Sequence, residues 1–235
     1  MNNTTIQIKT TERLNKLSSS DYDSIEAWQI VEAFNKAQIE WVRRQLRGAN
    51  QYLDGDEQSK RRVDDLQILL TDVNLPMVVK ELFVESTNKL PDNYLEYKRV
   101  NCKAKNECCD VAKQMIVYLA EEDNRGLLLR DENKKPSLSW GETFSTLFGG
   151  YVRIYTNDEF EVVEPYLTYY RFPVRIEILG ANDPYKLVPT NTNVECEFKD
   201  DIVELIIDEA VNILAGDTES PGQQQRGSSS AERNN

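Results

Sequence analysis

The stretch IEAWQIVEAFNKAQIEWVRRQL, residues 25–46, predicts an amphipathic helix. Apolar residues recur in it at intervals of three and four, at Ala27, Ile30, Phe34, Ala37 and Trp41. A second apolar stripe lies beside the first, at Trp28, Val31, Ile39, Val42 and Leu46. An apolar face of this width indicates that the helix is buried against more than one neighbour.

The next stretch, EQSKRRVDDLQILLTD at residues 57–72, predicts a second helix. The linker between the two helices is short, which favours an antiparallel helical hairpin. Pro76 ends the pattern because proline cannot continue a helix. The cations at the end of the first helix, Arg43, Arg44 and Arg47, suit the negative end of the helix dipole.

From about residue 77 the chain changes to short segments rich in β-branched and aromatic residues, separated by Asn, Asp, Gly and Pro. Examples are MVVKELFVES, YLEYKRVNCKAK, MIVYLA, YVRIYT, YLTYYRF and VRIEIL. We expect about six or seven strands in a unit that resembles a small barrel or a sandwich. The stretch DENKKPSLSWGETFSTLFGG is expected to be a loop with a short turn of helix.

A helical period returns in FKDDIVELIIDEAVNILAGD, which ends at a glycine suited to cap it, Gly216. The element order predicts an α+β fold, in which a helical core built from both chain ends carries an inserted β-rich unit. The expected parts are an N-terminal arm (1–20), the helical core (21–76 and 199–216), the inserted unit (77–198) and a flexible C-terminal tail (217–235).

The composition argues against most catalytic chemistry. The chain has no histidine, so the usual base of serine and cysteine hydrolases is missing. Its four cysteines, at 102, 108, 109 and 196, do not follow a common zinc spacing and are expected to be free thiols. We therefore expect no enzyme activity, no cofactor and no metal.

Charge and hydropathy narrow the choice of partners. The net charge of -12 opposes sequence-specific binding of nucleic acid, which favours a basic face. No apolar run approaches the ~20 residues of a membrane-spanning helix, and the N-terminus lacks a secretory signal. We expect a product made in the cytoplasm that has no membrane partner.

Two short stretches offer weak indications of a site. The carboxylates Glu121, Glu122 and Asp123 would suit a divalent ion, although a solvated turn is the more economical interpretation. The motif SWGET, at 139–143, joins an aromatic residue to a carboxylate, as glycosidases do. A binding role for the β-rich unit, toward a tail protein, a carbohydrate or single-stranded nucleic acid, would use Trp140, Tyr166, Tyr169 and Tyr170.

Four stretches together resemble a known family. They are DYDSIEAWQIVEAFNKAQIEWVRRQL, PSLSWGETFSTLFGGYVRIYTNDEFEV, YLTYYRFPVRIEI and FKDDIVELIIDEAVNILAGD. In this order they are similar to the head-to-tail connector (ring or adaptor) proteins of tailed phages, and most similar to those of crAss-like phages. The similarity covers most of residues 12–217 and contains no catalytic signature.

The resemblance implies a structural virion protein of the neck. Such adaptors form a ring, typically a dodecamer, between the portal protein and the next tail or ring protein, and DNA passes through the lumen during ejection. Copies would meet through a subunit interface at Trp28, Phe34, Trp41, Arg43, Arg44 and Arg47. A C-terminal segment would dock on the portal, with Gly216, Asp217, Pro221, Gln223 and Arg226 as candidate contacts.

Overall fold

The computed structural model of the chain describes residues 1–16, 25–47, 64–106, 109–181 and 191–217. They belong to two compact units. The helical unit comprises Met1–Ile68 and Pro173–Asn235, and the β unit comprises Leu69–Phe172. The expected α+β class is confirmed.

The helices are α1 (Asn3–Lys16), α2 (Ala27–Arg47), α3 (Arg125–Arg130) and α4 (Asp200–Asp217), with short 3-10 turns at Gln67–Leu69 and Glu122–Asn124. The strands are β1 (Leu70–Asn74), β2 (Met77–Val79), β3 (Phe83–Ser86), β4 (Tyr94–Asn106), β5 (Cys109–Leu119), β6 (Glu142–Phe148), β7 (Tyr151–Tyr155) and β8 (Glu161–Arg171). None of these helices has the length and apolar content needed to traverse a bilayer.

The prediction of an N-terminal arm over residues 1–20 is wrong for most of that range, because Asn3–Lys16 forms helix α1. Ile6, Thr10 and Leu14, spaced by four residues, are fully buried. The Asn3 side-chain amide donates to the backbone carbonyls of Glu177 (2.8 Å) and Val194 (2.9 Å). The helix is stabilised by contacts with distant parts of the chain, which a polar local sequence does not reveal.

Ion pairs attach α1 to α4. Glu204 on α4 accepts from both Lys9 and Arg13 on α1, and Arg13 also contacts Asp208 at 2.5 Å. Partial burial raises the pKa of the Glu204 carboxyl, but the hydrogen bonds and positive charges of Lys9 and Arg13 outweigh that effect. The pKa of Glu204 therefore lies below its ordinary value of 4.5.

We expect acid to weaken the attachment of α1. Because the folded-state pKa is lowered, the contribution of Glu204 to stability is complete above the ordinary pKa of 4.5 and is lost as the pH falls through the lower folded value. The E204Q variant should lose part of its stability near neutral pH and show a weaker decrease below pH 4.5 than the wild type. Thermal unfolding followed by far-UV circular dichroism across this range checks the prediction.

The matched control is E32Q, which removes a carboxylate of α2 whose pair with Arg175 is largely exposed. Exposed pairs contribute little, so its pH profile should follow that of the wild type. Parallel profiles for E204Q and the wild type would contradict the assigned role of Glu204.

Helices α2 and α4 supply most of the buried apolar residues of the helical unit. On α2, Phe34 and Ala37 are fully buried and Trp41 is 4% exposed. The Trp41 ring meets Phe198 edge to face, with ring centroids 5.4 Å apart. The facing residues of α4 are buried as well, namely Ile202, Val203, Ile206, Ile207, Ala210, Val211 and Leu214.

The prediction of a second helix over 57–72 is wrong at its C-terminal end. Residues 64–66 are helical and a 3-10 turn follows, but Leu70–Asn74 is strand β1. This segment pairs antiparallel with β8, from Leu70 opposite Tyr170 to Asn74 opposite Tyr166. Sheet pairing thus overrides a local helical pattern. The rest of the predicted hairpin, residues 48–63, lies outside the described residues.

The β unit is a single curled eight-stranded sheet with the order β1-β8-β4-β5-β6-β7-β3-β2. The pair β5–β6 is parallel and the other pairs are antiparallel. The edge strands β1 and β2 are joined by Leu75 and Pro76 alone, so Asn74 and Met77 lie within roughly 11 Å. The sheet therefore curls until its edges approach, and it encloses one core that includes Val100, Met115, Ile154 and Leu167.

Two further segments differ from the expectation. Residues 142–148, predicted as part of a loop, form strand β6. The stretch VRIEIL, predicted as a strand, contributes only an isolated bridge between Glu177 and Val194. Its Ile176 backbone instead meets the Asn35 side chain, which accepts from Ile176 N (2.8 Å) and donates to Ile176 O (3.2 Å). A buried amide thus replaces a neighbouring strand, and the β unit ends at Phe172 where a boundary near 198 was predicted.

Candidate binding site on the β unit

The crossover between the parallel strands β5 and β6 covers an open cavity of about 300 Å³ on the β unit. Parallel pairing places Tyr118 beside Phe144, and Ile116 beside Glu142. Residues aligned in this way share one face of the sheet. The crossover adds the other walls of the cavity, which are formed by Leu128, Glu132, Asn133, Lys134, Lys135 and Trp140.

The segment that carries Trp140 is a tightly bonded turn. Ser137 N donates to Glu142 O (2.9 Å), and Gly141 N donates to Ser137 O (3.0 Å). The Lys113 ammonium donates to the carbonyls of Leu138 (3.2 Å) and Ser139 (2.8 Å). These bonds hold the Trp140 backbone while its side chain stays 80% exposed.

Gly141 is required by the geometry of this turn. Its φ of +74° lies in the left-handed region, and an added Cβ would come within 3.1 Å of Lys113 Cε. Glycine therefore permits both the backbone conformation and the approach of the lysine.

A second turn, organised by Asp131, also lines the cavity. The backbone N–H groups of Lys134 (3.1 Å) and Lys135 (2.9 Å) donate to Asp131 O. Asn133 N donates to the Asp131 carboxylate at 3.0 Å. The turn contributes Glu132, Asn133, Lys134 and Lys135 to the lining of the cavity.

The four predicted contact residues of the β unit do not come together. Trp140 lines the cavity, together with Glu142 of the SWGET motif. Tyr169 is buried, stacks on Tyr94 and donates to Asn93 (2.9 Å), so its role is structural. Tyr166 and Tyr170 lie on β8, which β4 and β5 separate from β6 in the sheet.

The sequence did not single out Tyr118, Lys113 or the turn at 131–135. Tyr118 lies in a stretch that was predicted as a strand, and its alternation with Ile116 was the available signal. The turn at 131–135 lies in the connection between β5 and β6, so its approach to Trp140 depends on the pairing of these two strands.

Within the acidic cluster at 121–123, Glu122 has a structural role. Its carboxylate accepts from Thr146 Oγ1 (2.5 Å), Arg153 (3.2 Å) and Arg125 (3.1 Å). Within the described ranges, no group of three His, Cys, Asp or Glu residues is placed to hold a metal ion. The bonds from Thr146 and Arg153 therefore attach Glu122, near the start of the connection between β5 and β6, to strands β6 and β7.

The predicted subunit-interface residues differ in what they can offer a neighbouring copy. Phe34 and Trp41 are buried within their own unit, whereas Trp28 is half-buried and Arg43 is exposed. Arg44 pairs with Glu209 of α4 at 3.1 Å. The side chain of Arg47 lies outside those described. Among these residues Trp28 and Arg43 keep solvent-exposed surface, whereas Phe34 and Trp41 keep very little.

The proposed portal-docking residues fall mostly beyond the described part of the chain. Gly216 lies inside α4, one residue before its end, and the Asp217 side chain is not described. Pro221, Gln223 and Arg226 lie in 218–235, outside the described residues. The same holds for the predicted flexible tail after Asp217.

Two of the cysteines are free and buried thiols, Cys102 and Cys196. Burial raises the pKa of the Cys102 thiol to about 12 and that of Cys196 to about 11. At neutral pH both are therefore thiols and not the nucleophilic thiolate.

No protein-family model matches the chain, and a search of curated proteins finds no match either.

Proposed function

We propose that this protein is a non-enzymatic structural component of a tailed-phage virion. It forms a homo-oligomeric connector ring in the neck, between the portal protein and the next tail or ring protein. Four stretches of the sequence that resemble phage head-to-tail connectors support this proposal. The chain is made in the host cytoplasm and acts in the virion.

One structural observation carries the proposal, namely an apolar hairpin at an edge of the sheet. Strand β2 is the last strand in the order, so one side of its backbone has no neighbouring strand among the described residues. The β2–β3 hairpin exposes Val78 (47%) and Val79 (74%) of β2 and Leu82 (42%) of the connecting turn. Exposed apolar edges of this kind are typical of surfaces that another protein covers.

The second sheet edge increases this surface. Strand β1 carries Leu70, which is 42% exposed, and it joins β2 through Leu75 and Pro76. Both edges therefore lie close together and can meet the same neighbour. A contact between this edge and a different patch of the next copy is heterologous, and such contacts form a ring when the rotation between copies closes.

The helical unit also exposes residues that a neighbouring copy could contact. Ile8 on α1 is 60% exposed, Trp28 is half-buried, and Arg43 is an exposed cation near the end of α2. Ion pairs between Arg43 and carboxylates of the adjacent copy are favoured in a chain of net charge -12.

The overall charge suits a passage for DNA. A net charge of -12 repels the phosphate backbone, so DNA can move through an acidic lumen without sequence-specific binding.

A second candidate function is a binding module carried by the β unit. The cavity beside Trp140 favours it, because it combines exposed aromatic surface with polar side chains.

We expect V79E to weaken assembly without unfolding the chain. The substitution places a charge on an apolar contact that is 74% exposed in the single copy. Negative-stain electron microscopy and mass photometry should show rings for the wild type, alone or with the portal protein of the same genome. The V79E variant should show at least a tenfold lower fraction of rings.

The matched control is V111E, because Val111 lies on β5 and is 84% exposed. This variant should assemble as the wild type does. A wild-type chain that stays monomeric and does not bind the portal protein would overturn the connector proposal. Equal loss of assembly in both variants would overturn the role of the β2–β3 hairpin.

A further inference from the structure

We propose that the cavity beside Trp140 binds a neutral saccharide. A pyranose ring stacks on the Trp140 indole, and its hydroxyl groups bond to Glu142 and Tyr118. The inference deepens the second candidate function and does not depend on the connector ring.

The size of the cavity suits one sugar ring. Its volume of about 300 Å³ lies at the small end of ligand-binding cavities. The cavity is open to solvent, so a longer glycan can extend outward from the bound ring.

The aromatic residues supply a platform. Trp140 is 80% exposed and Tyr118 is 53% exposed, although both belong to a well-bonded part of the β unit. A flat aromatic face left in water gains dispersion contacts when an apolar surface covers it. The C–H face of a pyranose provides such a surface, while its hydroxyl groups remain directed to polar partners.

The polar groups around the platform fit hydroxyl groups. The Glu142 carboxylate accepts two or more hydrogen bonds, and the Tyr118 hydroxyl, 3.4 Å from it, both donates and accepts. Hydrogen bonds to a charged carboxylate are about twice as strong as neutral ones, which makes Glu142 the principal polar contact. Asn133 adds an amide to the lining.

The charges of the lining point to a neutral ligand. The carboxylates of Glu132 and Glu142 are balanced by the ammonium groups of Lys134 and Lys135. A phosphate or a nucleic acid would need an excess of positive charge, and the chain as a whole carries -12.

The site is organised before a ligand binds. The Lys113 bonds to Leu138 O and Ser139 O and the turn closed at Gly141 already hold the Trp140 backbone in place. Binding therefore requires little ordering of the loop, which favours measurable affinity from few contacts.

The test is a titration of the full-length chain with cellotetraose and with chitotetraose. Isothermal calorimetry should show saturable binding of at least one of these sugars, with one site per chain. Acrylamide quenching of tryptophan fluorescence should decrease in the saturated protein, because the sugar shields the exposed Trp140. The W140A variant should lose detectable binding, and E142Q should bind about tenfold more weakly, as expected for one charged hydrogen bond.

The matched control is Y166A, which removes another exposed aromatic residue from the same unit, outside the cavity lining. Its affinity should equal that of the wild type, and the circular dichroism of all three variants should be unchanged. Lack of saturable binding of both sugars, or wild-type affinity in W140A, would overturn the proposal. Binding of oligothymidylate or of a peptide at Trp140 in place of sugar would also overturn it. Ring assembly, measured separately in W140A, is expected to persist.

Discussion

Replacing Trp41 with alanine is expected to lower the free energy of unfolding of the helical unit by about 3–5 kcal/mol. Trp41 is 4% exposed and its ring meets Phe198 edge to face. Truncation removes apolar surface from the core and leaves a cavity that the packed helices α2 and α4 fill only in part. Urea unfolding followed by far-UV circular dichroism measures the loss.

The companion variant W41F separates packing from hydrogen bonding. The Trp41 indole Nε1 is buried and has no hydrogen-bond partner among the described residues. Phenylalanine keeps an aromatic ring and removes this unpaired donor, so we expect a loss of about 1 kcal/mol or less. A W41A variant that unfolds at the urea concentration of the wild type would show that Trp41 is not part of this core.

The second large effect is expected at Arg153 in the β unit. Its guanidinium contacts Glu85 (2.7 Å) and Glu122 (3.2 Å), and it lies over the Phe83 and Phe148 rings. Burial lowers the pKa of the Arg153 guanidinium. The hydrogen bond and charge of Glu85 and the charge of Glu122 raise the pKa by more than burial lowers it. The net shift is upward, so Arg153 stays charged.

Replacing Arg153 with methionine should destabilise the β unit by about 3–5 kcal/mol. Methionine keeps much of the side-chain volume between the two rings, so the loss reports mainly on charge. Glu85 and Glu122 would be left partly buried without the cation they share. Urea unfolding of the full chain, followed by the circular dichroism of the sheet, measures the effect.

Two controls make the Arg153 prediction specific. Arg125 contacts the same Glu122 oxygen at 3.1 Å but is 46% exposed, so R125M should cost only about 0–1 kcal/mol. Adding E85Q to R153M should recover part of the stability, because it removes the carboxylate that Arg153 contacts at 2.7 Å and that R153M leaves without this cation. Equal losses in R153M and R125M would contradict the role assigned to the contacts of Arg153 with Glu85 and Glu122.

The burial of Trp41 affects the proposed ring. The opening helix predicted by its two apolar stripes is α2, and most of that face is covered by residues of the same unit. The proposed contact between copies therefore moves to exposed surfaces, chiefly Val78, Val79 and Leu82 of the β2–β3 hairpin. The V79E variant tests this location directly.

The sequence predicted those elements whose cause is local. Helices α2 and α4 carry apolar residues at helical spacing, and strands β4, β7 and β8 carry β-branched and aromatic residues. Helix α1 and the segment around Ile176 were predicted wrongly because their partners are distant. The α1 ion pairs reach α4 across about 190 residues, and Asn35 reaches Ile176 across 141.

The candidate site was predicted in part. SWGET drew attention to Trp140 and Glu142, because an aromatic residue close to a carboxylate is a recognisable, although weak, pattern. Nothing in the motif indicated Tyr118 or the Asp131 turn. Their approach to Trp140 depends on the parallel pairing of β5 with β6, and this pairing follows from the whole strand order.

By itself the sequence determined the α+β class, the acidic charge and the absence of a histidine base, since each depends on composition or short-range periodicity. The tertiary structure alone decided which apolar faces remain exposed, that the sheet edges approach each other, and that Trp140 lines a cavity. These properties depend on contacts between residues far apart in the chain, whose free energies outweigh local preferences once the chain is folded.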